Sequence, residues 1–236
     1  MSQDNLLEIN HLTAWYSKEK RILTDFNLEL GSHEVVGLIG LNGAGKTTFM
    51  KALAGLLSTC QVEGATFQGK NLVFRDKSFK QKRYVVFAEE HSFQYFTFNE
   101  YISYVAASYG KELTDVAELV RGFHFEEYTD VLLKELSTGN LKKAYLITAF
   151  ALKPELLLLD EPVNGLDFQS TEYLYQLMEA YKKHGTLLFS SHILESISLT
   201  SDRVLVLENG QIKKVFKQED INAQNIREVL SEDESI

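Results

Sequence analysis

Short apolar runs alternate along the chain with segments in which apolar residues recur at helical spacing. The run at 35–39 predicts a strand, and a glycine cluster separates it from helical spacing over 47–57. Three further runs, at 84–88, 156–159 and 187–189, are typical of strands buried on both faces of a parallel sheet. The pattern therefore predicts an α/β fold in which a strand, a glycine-rich loop and a helix follow one another.

Two other regions complete this prediction. Residues 99–152 have mainly helical spacing. Apolar runs at 204–207 and 212–216 flank Asn209-Gly210, a dipeptide that tolerates positive φ and favours a tight hairpin. We expect the last twenty residues to form a polar helix and an acidic tail. Because no internal repeat or Gly/Ser linker occurs, one large domain with an insertion is the best division of the chain.

Amino-acid composition and net charge limit the classes of partner that this chain is expected to bind. Hydrophobic residues make up 44% of the 236 positions, which is enough for a sizeable core. Twenty-four Lys and Arg stand against 33 Asp and Glu, for a net charge of −9. We expect such a surface to repel phosphate backbones, so no nucleic-acid partner is predicted.

The chain also lacks the signals of secretion and of membrane insertion. Cys60 is the only cysteine and cannot form a disulfide within the chain, and the first ten residues do not resemble a signal peptide. The densest apolar run, 156–159, has four residues, whereas about 18 are needed to cross a bilayer. We expect a cytosolic, unprocessed chain whose role at a membrane requires another polypeptide.

The segment GLNGAGKTT at 40–48 fits the phosphate-loop pattern, and it lies where a strand turns into a helix. Glycines let backbone N–H groups surround a phosphate, Lys46 can bridge the β- and γ-phosphates, and the Thr47 hydroxyl can bind Mg²⁺. The alternative is a glycine-rich turn closed by a solvated lysine. The predicted ATP-binding residues of this segment are Asn42, Gly43, Ala44, Gly45, Lys46, Thr47 and Thr48.

The segment LLLLDEP at 156–162 places two carboxylates at the end of a buried strand, where an α/β sheet presents its ligand crevice. Asp160 is suited to hold Mg²⁺, and Glu161 can take a proton from an attacking water. The alternative is an acidic strand end that caps the next helix, with Pro162 in its first turn.

These two segments resemble the Walker A and Walker B motifs of ATP-binding cassette (ABC) ATPases, and the family's remaining motifs follow in order. LSTGN at 136–140 resembles the signature, Asn164 to Asp167 resembles the D-loop, and Ser190 to His192 resembles the switch-histidine segment. Tyr16 stands where the family stacks an aromatic ring on adenine. The resemblance covers nearly the whole chain.

The resemblance implies a P-loop NTPase core with an antiparallel β subdomain and an inserted α-helical subdomain. We expect 1–236 to be a single ABC ATPase domain. Residues 1–88 and 144–236 would form the catalytic core with the β subdomain, and 89–143 the helical subdomain with the signature.

The resemblance also implies a head-to-tail dimer that encloses two ATP molecules, with a homodimer preferred over a heterodimer. Free N–H groups at the start of the signature helix, at Ser137, Thr138 and Gly139, can bind the γ-phosphate held by the other chain. Asp167 would lie at this interface. Taken alone, Ser137 is an ordinary N-cap and Asp167 an ordinary turn acid.

His192 and Tyr16 are the other residues carried over from the family. His192 follows the strand at 187–189 and should lie at the ligand edge of the sheet, within reach of a γ-phosphate. A structural histidine is the alternative. Tyr16 is equally compatible with packing, and Trp15 competes for the adenine role.

The chain departs from the family pattern at several positions. Glu89 stands where the family has glutamine as a Mg²⁺ ligand, and Gln94 is a less well aligned substitute. We predict that Glu89 holds the metal with Thr47 and Asp160; the alternative is a solvated acid. The signature and the residues after it differ at three positions, which are Thr138, Asn140 and Lys143.

The expected function is that of the ATP-hydrolysing subunit of an ABC transporter, bound to a separate permease at the cytoplasmic membrane face. Seven aromatics within 93–109 suit a surface for the permease, or else a helical core. With 44 residues after His192, export of a peptide or drug-like compound is favoured. The alternatives are a non-transport ABC protein and a nucleotide-gated scaffold that does not hydrolyse ATP.

Overall fold

A six-stranded sheet forms the centre of the computed structural model, which describes residues 5–17, 20–113 and 115–231. Its strand order is β11-β10-β3-β9-β8-β7, and β10, β3, β9, β8 and β7 run parallel. The strands are β3 (Val35–Ile39), β7 (Arg83–Val86), β8 (Leu156–Asp160), β9 (Thr186–Ser191), β10 (Arg203–Glu208) and β11 (Gln211–Lys217).

A second, antiparallel sheet lies beside the first. Its order is β2-β1-β5-β6, and β4 pairs with the other half of β1. The strands are β1 (Asn5–Ser17), β2 (Lys20–Gly31), β4 (Cys60–Gln61), β5 (Gly64–Phe67) and β6 (Lys70–Asn71).

Eight α-helices lie within the described ranges. They are α1 (Lys46–Leu53), α2 (Lys77–Lys80), α3 (Phe98–Tyr109), α4 (Val116–Gly122), α5 (Thr138–Leu152), α6 (Phe168–Ala180), α7 (Leu194–Thr200) and α8 (Ala223–Ser231). In this part of the chain no helix combines the length and the apolar character that crossing a membrane requires.

The central strands are apolar throughout because both of their faces are covered. Along β3, Val35 and Ile39 pack into one hydrophobic cluster, and Val36 and Leu38 pack into the other. The same alternation occurs in β8, where Leu157 and Leu159 face the first cluster and Leu156 and Leu158 the second. The prediction of a buried parallel sheet is thus confirmed.

Element boundaries differ from the sequence-based expectation by a few residues. The strand expected at 84–88 is Arg83–Val86, and the helix expected at 47–57 is Lys46–Leu53. That helix ends early because Gly55 adopts a left-handed conformation, with φ +71°. The expected hairpin is present, and Asn209 and Gly210 both have positive φ, at 47° and 76°, as a two-residue primed turn requires.

Three helices, α3, α4 and α5, account for the helical spacing of 99–152, with short turns between them. A capping box starts α3, because Thr97 and Glu100 exchange hydrogen bonds between side chains and backbone. The proposed boundary between 143 and 144 falls inside α5, which is one continuous helix. The predicted polar helix near the end is α8, whereas the acidic tail after 231 lies outside the described residues.

Candidate functional site

The glycine-rich loop connects the end of β3 to the start of α1, as expected from its sequence. Gly43 and Gly45 have φ of +87° and +114°, a region that favours glycine. A Cβ atom at Gly45 would also lie 2.8 Å from a methyl group of Leu23. Residues 41–43 are exposed, so the backbone of this part of the loop is accessible to a ligand. Gly45, near the other end of the loop, packs against Leu23.

Lys46 begins α1 and its side chain is buried. Its Nζ donates a hydrogen bond of 2.7 Å to the Gly40 carbonyl, and it lies 3.8 Å from Glu161 Oε1. A buried ammonium group is stable only when it is paired and hydrogen-bonded. The loop thus holds one positive charge at its centre, next to the carboxylate of the second motif.

Asp160 is almost completely buried and joins two elements through its carboxylate. Thr47 Oγ1 donates to Asp160 Oδ2 at 2.8 Å, and Ser190 Oγ donates to Asp160 Oδ1 at 2.6 Å. The parallel register of β8 and β9 places Asp160 directly opposite Ser190. The structure therefore brings together the two predicted metal-binding side chains, Thr47 and Asp160.

Glu161 has its backbone in the left-handed region, with φ +48°, and its carboxylate has other partners than that of Asp160. For a residue other than glycine this conformation is strained, and the surrounding structure must hold it. Ser190 Oγ accepts a hydrogen bond from the Glu161 backbone N–H at 3.0 Å. The Glu161 side chain forms a 2.8 Å hydrogen bond between Oε2 and His192 Nδ1. Glu161 is buried, whereas the His192 side chain is 52% exposed.

The side chains of Thr47 and Asp160 supply oxygen ligands of the kind that Mg²⁺ prefers. Among the described residues, no group of three or more His, Cys, Asp or Glu is arranged to hold a metal. Mg²⁺ is usually bound by one or two carboxylates together with substrate phosphates.

Glu89 follows β7 and is exposed. It lines a cleft of about 450 Å³ together with Gln94, Thr138 and Lys142, and the residues lining this cleft do not include Thr47 or Asp160. Its role as a metal ligand therefore stays a prediction.

Lys142 is a buried cation that the sequence-based reasoning did not identify. Its Nζ donates to the Ala88 carbonyl at 3.1 Å. Burial lowers the pKa of Lys142, and three nearby carboxylates oppose this shift, namely Asp160, Glu161 and Glu90. No local motif marks the residue, because its partners come from other elements.

The signature segment starts α5 as the sequence predicts. Ser137 is the N-cap, and its side chain accepts a hydrogen bond from the Asn140 N–H at 3.2 Å. Gly139 packs directly on the D-loop of the same chain, because a Cβ at this position would lie 2.5 Å from the Gly165 carbonyl oxygen. Thr138 approaches the same glycine.

Asp167 ties the D-loop to the signature helix within one chain. It caps α6 by accepting from the Ser170 N–H at 2.8 Å, and it forms a 2.6 Å ion pair with Lys143. Burial raises the pKa of Asp167, but hydrogen bonds from Lys143 and Ser170 outweigh this effect and hold the pKa well below its usual range. Its predicted role at a dimer interface is additional to these contacts and is still a prediction.

Of the two aromatic candidates near the loop, Tyr16 forms a hydrogen bond to a residue of α1. Its hydroxyl accepts a 3.4 Å hydrogen bond from Thr48, and its side chain is 53% exposed. The backbone of Trp15 bonds to Thr59 instead. Tyr16 therefore presents an accessible ring beside the phosphate loop.

Comparison with known proteins agrees with this geometry. The family model described as ABC transporter matches residues 23–164. The chain belongs to the ABC transporter family. It is 35% identical over 222 residues to the putative ABC transporter ATP-binding protein AlbC of Bacillus subtilis, covering 90% of this chain and 92% of AlbC.

Two further proteins similar to this ABC subunit support the same assignment. The phosphate import ATP-binding protein PstB of Mycoplasmoides gallisepticum is 30% identical over 238 residues, covering 91% of this chain and 73% of PstB. A solved ATP-binding subunit of an ABC transporter superimposes with a TM-score of 0.82 at 28% identity, covering 94% of both chains. The predicted ABC ATPase fold is confirmed, and the chain is an ATPase of the kind coupled to transport.

The aromatic segment of this ABC subunit divides into two sets. Phe98 and Tyr101 are buried in the core. In contrast, Phe93 and Tyr104 are 37% and 51% exposed and line a groove of about 380 Å³ between β7, α3 and α5, with Glu90 in its wall. Some rings of the segment thus belong to the helical core and others are exposed, and a permease surface at the exposed rings stays a prediction.

Proposed function

We propose that this ABC subunit binds Mg-ATP at its phosphate loop and closes on a second copy of itself to hydrolyse it. The observation that carries the proposal is the arrangement of Lys46, Glu161 and His192 around the loop. Lys46 Nζ lies 3.8 Å from one oxygen of the buried Glu161 carboxylate, and the His192 imidazole is hydrogen-bonded to the other oxygen. This arrangement supports proton abstraction by Glu161 next to a bound phosphate.

The remaining residues have positioning roles in this proposal. Thr47 and Asp160 would hold Mg²⁺, with Glu89 as a further ligand; the bound ion would neutralise charge on the β- and γ-phosphate oxygens. Lys46 contributes a second positive charge to the same oxygens. Glu161 accepts a proton from the attacking water, and His192 holds the γ-phosphate. Tyr16 stacks on the adenine ring.

Because the signature segment packs on the D-loop of its own chain, we assign its contact with ATP to a second copy. Among the described residues, no hydrogen bond joins 137–139 to 40–48. Free N–H groups at the start of α5 support binding of the γ-phosphate of the partner copy. In a homodimer with two-fold symmetry, both sites are completed in the same way.

The dimer test uses the variant Glu161→Gln, saturated with Mg-ATP, and measures its mass by light scattering during gel filtration. We expect a stable dimer, because blocked hydrolysis preserves the closed state. Adding Ser137→Glu should return the protein to a single subunit, because a carboxylate would face the incoming γ-phosphate. Loss of the Ser137 cap costs about 1 kcal/mol, and the favourable position of a carboxylate at a helix N-terminus offsets part of this cost.

The matched control for this test is Ser78→Glu in the Glu161→Gln background. Ser78 is exposed on α2, so the added charge should leave the dimer unchanged. The proposal fails if the blocked subunit stays single both alone and with its permease, or if Ser137→Glu leaves the dimer intact.

We further propose that the groove lined by Phe93 and Tyr104 binds a cytoplasmic helix of a separate permease. Its size, its aromatic walls and the carboxylate of Glu90 support an apolar helix with a basic residue. The subunit would then lie on the cytoplasmic face of the membrane.

The direction that we propose is export of a peptide or drug-like compound, as the sequence analysis favours. The named relatives include a phosphate importer, so the direction needs its own test. Inside-out vesicles that contain the subunit and its permease should accumulate the compound when Mg-ATP is supplied outside. Depletion of the compound from these vesicles would show import instead.

A further inference from the structure

A patch of exposed cations and aliphatic side chains lies around the C-terminal end of α1 and the short helix α2. We call it the basic face; it consists of Leu56, Val73, Arg75, Lys77 and Lys80. Leu56 and Val73 are 67% and 58% exposed, and the three cations are exposed as well. Large aliphatic side chains that are this accessible are candidates for an interface.

Several contacts bring these residues together. Leu56 and Lys80 line the groove that Phe93 and Tyr104 also line, whereas Val73, Arg75 and Lys77 lie outside it. A Cβ atom on Gly55, the residue before Leu56, would lie 3.2 Å from Arg75 Cγ. Lys77 and Lys80 are three positions apart in α2 and therefore lie on the same side of that helix.

The buried Arg83 connects the end of α1 to the segment that carries the cations. Arg83 Nη2 donates to the carbonyl of Phe74 at 2.9 Å and also to that of Ala54. Its guanidinium group stacks on the ring of Phe79 at 4.2 Å. The end of α1 and the segment that carries the cations are thus held as one surface.

The charge of this region is opposite to that of the rest of the molecule. Residues 70–83 contain six Lys or Arg and one Asp, a net charge of +5 within a chain of −9, which leaves −14 for the remainder. Lys82 pairs with Glu155. Within the part of the chain that the structure describes, Arg75, Lys77 and Lys80 form no ion pair with a carboxylate. Their charge is therefore available to an anionic partner.

We propose that the basic face binds the anionic lipid headgroups of the membrane surface directly. Lysine and arginine near such a surface are attracted to its negative potential, and exposed leucine and valine can enter the boundary between headgroups and acyl chains. The negative remainder of the chain is repelled by the same surface, which orients the molecule with this face toward the lipid.

A lipid partner matches this charge better than the permease does. Cytoplasmic loops of membrane proteins carry an excess of Lys and Arg, and such loops would be repelled by Arg75 and Lys77, which do not line the groove proposed for the permease. This step rests on the proposed pairing with a permease. The attraction to anionic lipid does not depend on that pairing, so lipid binding and permease binding can be tested separately.

The experiment is flotation of the full chain with vesicles of phosphatidylcholine alone or of phosphatidylcholine and phosphatidylglycerol in equal amounts. Neither ATP nor a permease is present. We expect binding only to the vesicles with phosphatidylglycerol, weakened by added salt. The variant Arg75→Gln, Lys77→Gln, Lys80→Gln should bind at least tenfold more weakly, since each cation near the surface contributes roughly fivefold.

A second triple variant, Lys183→Gln, Lys214→Gln, Lys217→Gln, has the same net charge and should bind like the parent. These three lysines are exposed and lie outside the basic face. Replacing Leu56 and Val73 by serine should also weaken binding, and this loss should persist in high salt because it is apolar in origin.

Equal binding to both kinds of vesicle, or no binding to either, would overturn the proposal. Equal losses of vesicle binding in the two triple variants would also overturn it, because binding would then depend on the net charge of the chain and not on the basic face. If the first triple variant binds vesicles normally but loses its permease in detergent, the surface belongs to the permease. The nucleotide-dependent dimer of Glu161→Gln should be unaffected by these changes, so its absence would count against the proposed function and not against lipid binding.

Discussion

Glu161 and His192 meet through a 2.8 Å contact between Oε2 and Nδ1, at the ends of two neighbouring parallel strands. The second oxygen of Glu161 faces Lys46 at 3.8 Å. The carboxylate is therefore held from two sides, by His192 and by Lys46 next to the phosphate loop. A general base needs such fixed geometry before its basicity matters.

Replacing Glu161 by glutamine should reduce turnover roughly 10²- to 10⁴-fold while ATP binding is retained. The amide keeps the size of the side chain but cannot accept the proton of the attacking water. Release of inorganic phosphate in a single-turnover assay measures the effect. Glu172→Gln, at an exposed position on α6, serves as the control. Turnover at the parental rate would mean that another group is the base.

Ser190→Ala should both destabilise the protein and slow hydrolysis. Ser190 Oγ donates to Asp160 and accepts from the Glu161 N–H. Its loss leaves two buried polar groups without this partner, at a cost of about 1–3 kcal/mol in the free energy of unfolding. Urea denaturation measures this change, and Ser78→Ala on the surface is the control. Unchanged stability would show that water replaces the hydroxyl.

Glu89→Gln should raise the Mg²⁺ concentration that half-maximal hydrolysis requires. A carboxylate attracts a divalent cation more strongly than an amide does. The measurement is a titration of ATPase activity with Mg²⁺ at saturating ATP, and the neighbouring substitution Glu90→Gln is the control. Identical titration curves for the parent and Glu89→Gln would assign Glu89 to the solvated surface.

Asp167→Asn should destabilise the protein at neutral pH and much less in acid. The pKa of Asp167 in the folded protein is lower than the value of about 3.9 expected in the unfolded chain. Its contribution to stability is therefore fully present above about pH 5 and is lost as the pH falls through the folded pKa. Asparagine is also a good N-cap, so the variant removes mainly the charge that Lys143 neutralises.

Urea unfolding of the parent and of Asp167→Asn at several pH values tests this prediction. The difference between their unfolding free energies should shrink as the pH is lowered below about 4. A difference that stays constant with pH would mean that the charge of Asp167 contributes nothing to stability.

Tyr104→Ala should weaken recovery of the permease roughly tenfold, because exposed aromatic side chains are frequent anchors of interfaces. Leu199→Ala is the control, since Leu199 is 63% exposed but does not line the groove. Affinity purification of a tagged subunit with its membrane partner gives the measurement. Equal recovery with both variants would show that Tyr104 does not anchor the permease.

Features that depend on neighbours in the chain were predictable from sequence. The phosphate loop, the buried strand before Asp160, the Ser137 cap and the Asn209-Gly210 turn each need only a few consecutive residues. Local spacing could not reveal Ser190, whose two hydrogen bonds span about 30 residues and depend on the register of β8 and β9. Nor could it reveal Lys142, which reaches the backbone after β7 from another element.

The amino-acid pattern was enough to predict the fold class, the position of the glycine-rich loop and the carboxylates at the strand end. These follow from apolar periodicity and from residue types that only certain backbone conformations accept. Three other features became visible in the folded chain: the oxygen of Glu161 that faces Lys46, the ion pair between Asp167 and Lys143, and the aromatic rings that remain exposed. Such contacts join residues far apart in the chain, and strand register and helix packing set their distances.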